Sequence, residues 1–181
     1  MQVGFYFDQQ RCTGCYACVV ACKQWHGVPA GPARWRRVET IEAGRFPDLW
    51  VAHLSLSCSH CLEPTCAAAC PTGAITKRVE DGIVVVDKDL CTACRACLES
   101  CPYDAPQFRD DSSPMEKCDL CLDRLGEGLR PVCVISCPLR ALDAGPMGEL
   151  RATYQGTLDA PGFADSSLTR PAILFRPRIG G

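Results

Sequence analysis

Apolar positions in this chain alternate with polar or small ones over short stretches only. Residues 3–7 (Val-Gly-Phe-Tyr-Phe) read as a strand, and residues 35–41 and 49–56 alternate in the same way. Two β-rich stretches, 74–76 and 83–86, flank Glu80-Asp81-Gly82, and the Asp-Gly pair predicts a hairpin. Residues 140–143 predict a further strand and residues 147–154 a short helix. From Gly145 onward the chain is rich in Pro and Gly, including Thr169-Arg170-Pro171 and Phe175-Arg176-Pro177-Arg178, which reads as an arm laid along the chain itself or a partner. The longest apolar runs, 83–86 and 172–175, have strand length. A bilayer span needs about 20 residues, so no transmembrane segment of the chain's own is expected.

This weak periodicity is punctuated by cysteine. Sixteen cysteines fall into four groups of four: Cys12, Cys15, Cys18 and Cys22; Cys58, Cys61, Cys66 and Cys70; Cys91, Cys94, Cys97 and Cys101; Cys118, Cys121, Cys133 and Cys137. The first and third groups carry the bacterial ferredoxin spacing C-x2-C-x2-C-x3-C, in which three thiolates bind one 4Fe-4S cluster and the fourth reaches another. Sixteen ligands therefore imply four clusters, with each run trading its last cysteine to a partner run. Pro71, Pro102 and Pro138 follow three of these last cysteines, where proline disfavours helical geometry at the cysteine and stops the helix behind its ligand. Lys23 follows Cys22 instead, a departure from the usual ending of the run.

Composition supports the same reading. With 16 cysteines, 15 glycines and 14 prolines in 181 residues and only 7% aromatic residues, inorganic centres replace much of the usual core in a loop-rich fold. Without iron, so many thiolates repel one another, and the apo chain is expected to be largely unfolded. Structural zinc usually alternates two cysteine pairs per metal, and disulfides need an oxidising compartment and a geometry that neighbouring C-x2-C thiols rarely meet. The net charge of −2 and the scattered basic residues carry no nucleic-acid signature. Arg34, Arg36 and Arg37 read as a solvated or partner-facing cluster. The N-terminus lacks the basic and apolar regions of a signal peptide, so cytoplasmic location is the default, with export or membrane association only through a partner.

The hairpin joins the second and third groups, so residues 52–105 form one complete two-cluster ferredoxin unit. The strands at 3–7 and 140–143 let the outer groups close into a second unit, residues 1–24 plus 106–145, with the inner one inserted in its middle. Residues 25–51 make a β-rich segment packed over both, with Trp25, Trp35 and Trp50 as filler, and residues 146–181 make the C-terminal arm. The fold class is thus α+β, with two bacterial-type ferredoxin units nested by insertion.

Four stretches carry a family resemblance: Arg11-Cys12-Thr13-Gly14-Cys15, Ser57-Cys58-Ser59-His60-Cys61-Leu62-Glu63-Pro64, Cys101-Pro102-Tyr103-Asp104-Ala105-Pro106-Gln107 and Ser136-Cys137-Pro138-Leu139-Arg140-Ala141-Leu142. Over roughly residues 3–155 the chain resembles the four-cluster iron-sulfur subunit of dimethyl sulfoxide reductase. Similar subunits serve polysulfide, thiosulfate, nitrate, arsenate and formate enzymes. The resemblance implies a first cluster on Cys12, Cys15, Cys18 and Cys137, and a second on Cys22, Cys118, Cys121 and Cys133. It implies a third on Cys58, Cys61, Cys66 and Cys101, and a fourth on Cys70, Cys91, Cys94 and Cys97. Some relatives replace the residue matching Cys94 by tryptophan and hold a 3Fe-4S centre there. With Cys94 present, four 4Fe-4S clusters are implied.

The implied role is a non-catalytic electron-transfer subunit of an oxidoreductase complex. It would carry single electrons between a molybdenum or tungsten pterin catalytic subunit, placed next to the first cluster, and a second redox partner at the fourth. That second partner is a membrane quinol-oxidising subunit, a flavoprotein or a soluble carrier. A cluster-containing scaffold or filament former, and a zinc-stabilised adaptor, stay open as alternatives.

Residues near the ligands divide by chemistry. His60 lies between two cysteines, where a hydrogen-bonding role outweighs a Rieske-type one because four cysteines complete each set. His26 and His53 have no companion at ligand spacing and read as structural. Arg95, Lys117 and Arg124 sit beside ligands, where a cation stabilises the reduced cluster, although ordinary surface roles fit them equally. Nucleophile triads, phosphate loops and paired carboxylates are absent from the sequence, so it offers no substrate site.

Overall fold

The structure, a computed structural model, describes residues 1–110 and 112–178. Asp111 and residues 179–181, the tip of the expected C-terminal arm, lie outside the described residues.

The first strand, β1 (Val3–Asp8), is buried along its whole length. Its alternation serves two cores, because successive side chains of a strand face opposite ways. Val3, Phe5 and Phe7 join the main core with Val38, Leu54, Leu56 and Phe175. Tyr6 points the other way, towards Met147, Leu150, Ala172 and Leu174, and stacks on Tyr154 with ring centroids 3.8 Å apart.

The remaining strands place the cysteine loops. A hairpin of β2 (Arg36–Ala43) and β3 (Trp50–Ser57) is antiparallel, pairing Arg36 with Ser57 and Ala43 with Trp50. The small ribbon of β4 (Ile75–Lys77) and β5 (Val84–Val86) is the hairpin expected around Asp81-Gly82, and Gly82 takes φ +72° in its turn. Strand β6 (Leu142–Pro146) pairs antiparallel with β1 and begins two residues later than expected, because Arg140 turns the chain at φ +52°. Strand β7 (Ile173–Arg176) lies parallel to β1 on its other side, giving the sheet order β6-β1-β7. The C-terminal arm is therefore laid along the chain itself.

Helices among the described residues are short: α1 (Ala17–Trp25), α2 (Thr65–Ala68), α3 (Ala96–Glu99), α4 (Leu122–Gly126), α5 (Val132–Ile135) and α6 (Met147–Thr153). Each of the first five carries cysteine or follows one directly. The last, α6, is the helix expected over 147–154 and covers the Tyr6 face of the sheet. No helix among the described residues is long and apolar enough to cross a membrane.

Backbone hydrogen bonds knit the outer strands to the inner ribbon. Val3 N donates to Asp81 O at 2.8 Å, and Ala172 N donates to Ser59 O at 2.8 Å. Gln2 Nε2 donates to His60 O and Gly82 O, while Lys77 Nζ donates to Gln2 Oε1.

The arginine cluster does not form one face. Arg36 is only 2% exposed, whereas Arg34 is exposed and Arg37 half-buried. The cause is the period of β2: Arg36 and Val38 point inward, and Arg37 points out.

Gly4 lies on the Tyr6 face, where α6 and the backbone of Ala172 come so close that a Cβ would meet the Ala172 carbonyl oxygen and the Met147 sulfur. Gly4→Ala is expected to destabilise the cluster-loaded protein by about 1–3 kcal/mol through overpacking. Thermal unfolding checks this, and an unchanged midpoint would show that the sheet opens there without cost.

Candidate metal centres

The cysteine loops are wound with left-handed residues that helices and strands do not use. Gly14 and Tyr16 in the first run have φ +68° and +60°, and Ala93 and Arg95 at the matching places of the third have +55° and +66°. In the fourth group Leu120 and Cys121 take φ +62° and +54°. Alternation of this kind turns successive N–H groups inward and makes an anion-binding concavity. Such conformations cost free energy in residues with a Cβ, so something inside the loop must compensate. At Gly14 the space also requires glycine, because an added Cβ would stand 2.7 Å from the His53 ring.

The loops bring the cysteines together across the chain. Cys12, Cys15, Cys18 and Cys137 line one small cavity, walled by Phe7, Val38 and Leu142. Cys58, Cys61, Cys66 and Cys101 line a second with Val84, Tyr103, Lys117 and Thr169. Cys70, Cys91, Cys94 and Cys97 line a third with Phe108, Met115 and Arg95. Cys22, Cys118, Cys121 and Cys133 are all buried. They sense one another electrically: Cys22 feels Cys133 and Cys121, and Cys118 feels Cys22 and Cys133.

Burial dominates the acidity of these thiols. It pushes Cys22, Cys66 and Cys121 up to about 12, and Cys61 and Cys97 up to about 11. Thiolates persist in these pockets only with a counter-charge inside, as a cationic metal centre provides. Backbone donors are already aimed at sulfur: Met115 N at Cys91, Ala141 N at Cys137 and Leu120 N at Cys118, at 3.3, 3.3 and 3.5 Å. Three cavities, each with four soft sulfur donors in a largely buried setting, fit an iron-sulfur cluster.

Among the residues singled out beside the ligands, His60 is fully buried and accepts a hydrogen bond from Val84 N at Nδ1, 3.1 Å away, leaving Nε2 without a partner. Burial first, then the nearby charges of Lys117 and Lys77, holds it well below the ordinary histidine range and so neutral. His26 is brought to Cys121, with Nε2 3.3 Å from Sγ and 3.9 Å from Asp119 Oδ1, and its ring tilts against Trp35 at 4.4 Å. That corrects the purely structural reading of His26, which spacing along the chain could not reveal, since Cys121 is 95 residues away. His53 packs on Gly14 and contacts Thr40 Oγ1 at 3.1 Å. Lys117 is buried and donates to the carbonyl oxygens of Val84 and Cys118. Arg124 lies over Trp25 and donates to Arg130 O, and Arg95 lies over Phe108.

One contributor had no signal in its own sequence context. Thr169, in the C-terminal arm and 1% exposed, has its Oγ1 3.1 Å from Cys61 Sγ and 3.0 Å from Tyr103 Oη. A hydroxyl has one proton to give, so Tyr103 donates to Thr169 and Thr169 donates to Cys61. Backbone bonds of Leu62 to Arg170 O and Glu63 to Thr169 O hold the arm there.

Known protein families match this chain in two places. Residues 50–147 match a 4Fe-4S dicluster domain, and residues 3–24 match a 4Fe-4S binding domain. The B chain of the anaerobic dimethyl sulfoxide reductase of Escherichia coli is 42% identical over 184 residues, covering 97% of this chain and 89% of that protein. The B subunit of the sulfite dehydrogenase of Allochromatium vinosum is 38% identical over 77% of this chain and 67% of its own length. Protein NrfC of Escherichia coli is 34% identical over 99% of this chain and 76% of its own.

Thr169→Val keeps the volume and removes the donor to Cys61. A hydrogen bond to sulfur stabilises the reduced state of a centre. Loss of about 1 kcal/mol lowers the midpoint of the centre at Cys61 by roughly 40 mV, at about 59 mV per tenfold for one electron. Redox titration followed by electron paramagnetic resonance reads it, and an unmoved midpoint would show the hydroxyl to be a packing group only.

Proposed function

This protein belongs to the family of iron-sulfur electron-transfer subunits that includes the B chain of anaerobic dimethyl sulfoxide reductase, and from that premise we propose that it holds four 4Fe-4S clusters in two nested ferredoxin units. The sets are Cys12, Cys15, Cys18 and Cys137; Cys22, Cys118, Cys121 and Cys133; Cys58, Cys61, Cys66 and Cys101; Cys70, Cys91, Cys94 and Cys97. Three shared cavities support the first, third and fourth sets, and the mutual electrical influence of its thiols supports the second. The pairing of β1 with β6 supports an outer unit of residues 1–24 plus 106–145, and the β4–β5 ribbon supports an inner unit of residues 52–105.

The clusters supply one-electron redox chemistry. The protein's part is to hold them dry and to expose them selectively. One observation carries the reading of a relay: only the first and fourth sets include an exposed cysteine, Cys15 and Cys94 respectively, whereas every cysteine of the second set is buried. Such an arrangement serves a path that opens at both ends and is insulated between. Beside Cys15 the exposed side chains of Tyr16 and Leu139 give that end an apolar rim. The partner at the first set is a catalytic subunit of molybdenum or tungsten pterin type, for which the Escherichia coli relative's name gives only that it is one chain of a reductase, and the partner at the fourth is a membrane quinol-oxidising subunit, flavoprotein or soluble carrier.

Anaerobically isolated protein is expected to contain ~16 iron and ~16 acid-labile sulfide per chain and no stoichiometric zinc; a reproducible value near ~8 iron would sink the four-cluster reading. Cys94→Ser is expected to convert or destroy the fourth centre while leaving the complex assembled. Turnover with the physiological electron partner should fall at least tenfold, while a dye exchanging electrons directly with the catalytic subunit still supports activity. Full physiological turnover in a variant shown spectroscopically to lack that centre would exclude it as an obligatory relay.

A further inference from the structure

At the first residue of β2, Arg36 points into the core. Its Nη1 donates to Ser55 Oγ at 3.1 Å and Nη2 to Ser57 Oγ at 2.9 Å, both on the facing strand β3. The guanidinium lies over the Phe5 ring, 4.7 Å from its centroid. Its Nε is buried and has no hydrogen-bond partner.

Among the described residues no carboxylate pairs with it. A guanidinium does not lose its proton in a protein. Burying one without an anion costs several kcal/mol, and two neutral serines do not offset that. The surroundings do hold latent anions, and they are sulfur. Ser55 Oγ, which accepts from Arg36, lies 3.6 Å from Cys18 Sγ. Cys133, Cys118, Cys18 and Cys22 are titratable groups that act on the guanidinium. Cys18 is in the first proposed set, and the other three are in the second.

We propose that Arg36 is the shared counter-charge of the first two centres, set at the seam between them by Ser55 and Ser57. This inference rests on the ligand sets proposed above and adds to them a charged side chain that is buried inside the chain. An electron arriving at either centre adds negative charge there. A fixed cation between the two offsets that charge at both, so their midpoints rise together and the repulsion between two reduced neighbours is weakened. Ser55 has a positioning role, because it orients Arg36 and Cys18 at once. Arg36 sits on the segment between the first two cysteine groups, which carries no cysteine of its own. The segment is therefore part of the electrical environment as well as cover.

The test uses the full chain loaded with its clusters, titrated potentiometrically with paramagnetic resonance resolving the centres. Arg36→Gln is expected to retain ~16 iron while the first and second centres become at least tenfold harder to reduce, about 59 mV for one electron. Arg36→Lys, which keeps the charge, should move them less, and the third and fourth centres should stay in place. Unmoved potentials, an equal shift in all four centres, or a shift as large in Arg36→Lys as in Arg36→Gln would overturn the proposal. If Arg36→Gln does not load, iron content becomes the readout. Full loading in Arg36→Lys alone supports the counter-charge, and loss in both variants overturns it. Fewer than four cubane centres in the unmodified protein would instead overturn the ligand sets, which separates the two failures.

Discussion

Everything in this molecule follows from the difficulty of burying sulfur as an anion. A thiol in an apolar pocket keeps its proton, as the raised pKa values of Cys22, Cys66 and Cys121 illustrate. To hold four such groups together as ligands, the chain needs inward N–H groups, cations without carboxylates, and a metal centre in the middle. The left-handed residues of the cysteine loops answer that requirement, and the counter-charge proposed for Arg36 would add to them. The ordinary hydrophobic core is correspondingly thin, and cysteines themselves make up part of it.

The family function follows from where these pockets lie relative to the surface. In a substrate-converting enzyme the buried polar groups converge on one cleft. Here the cysteines line three separate cavities, two of which include an exposed cysteine, Cys15 and Cys94. Strand β1 lies against both the outer sheet and the turn of the inner ribbon, so the two halves are held in fixed relation by backbone hydrogen bonds. Fixed spacing is what distinguishes an electron-transfer subunit from a chain that merely stores iron.

Much of this was legible in the residues, because ligand spacing is a local property. Cysteine runs, the Asp81-Gly82 turn and the alternation at β2 and β3 specify structure within a few positions of themselves, and each appears where its pattern put it. The closing of residues 3–7 on the strand after Cys137 was also anticipated, but other relations set by long-range packing escaped. Spacing could not show that His26 would meet Cys121, that Thr169 would meet Cys61, or that 173–176 would lie parallel to β1. The arginine cluster shows the other limit. Three basic residues in four positions look like a surface, but on a strand the alternation decides which of them faces inward, and at Arg36 it prevailed over the usual preference of charge for water.

The pairing of β1 with β7 joins one of the earliest segments of the chain to one of the last. During synthesis, the set of Cys70, Cys91, Cys94 and Cys97 is complete within a short continuous stretch. The set containing Cys58 lacks its Thr169 hydroxyl until the arm is made, and those containing Cys12 and Cys22 wait for Cys137 and Cys133. Strand β1 then remains without its second neighbour until residues 173–176 have left the ribosome. Translation thus imposes a timetable in which the segment holding Cys70, Cys91, Cys94 and Cys97 is available first and the sheet is completed last.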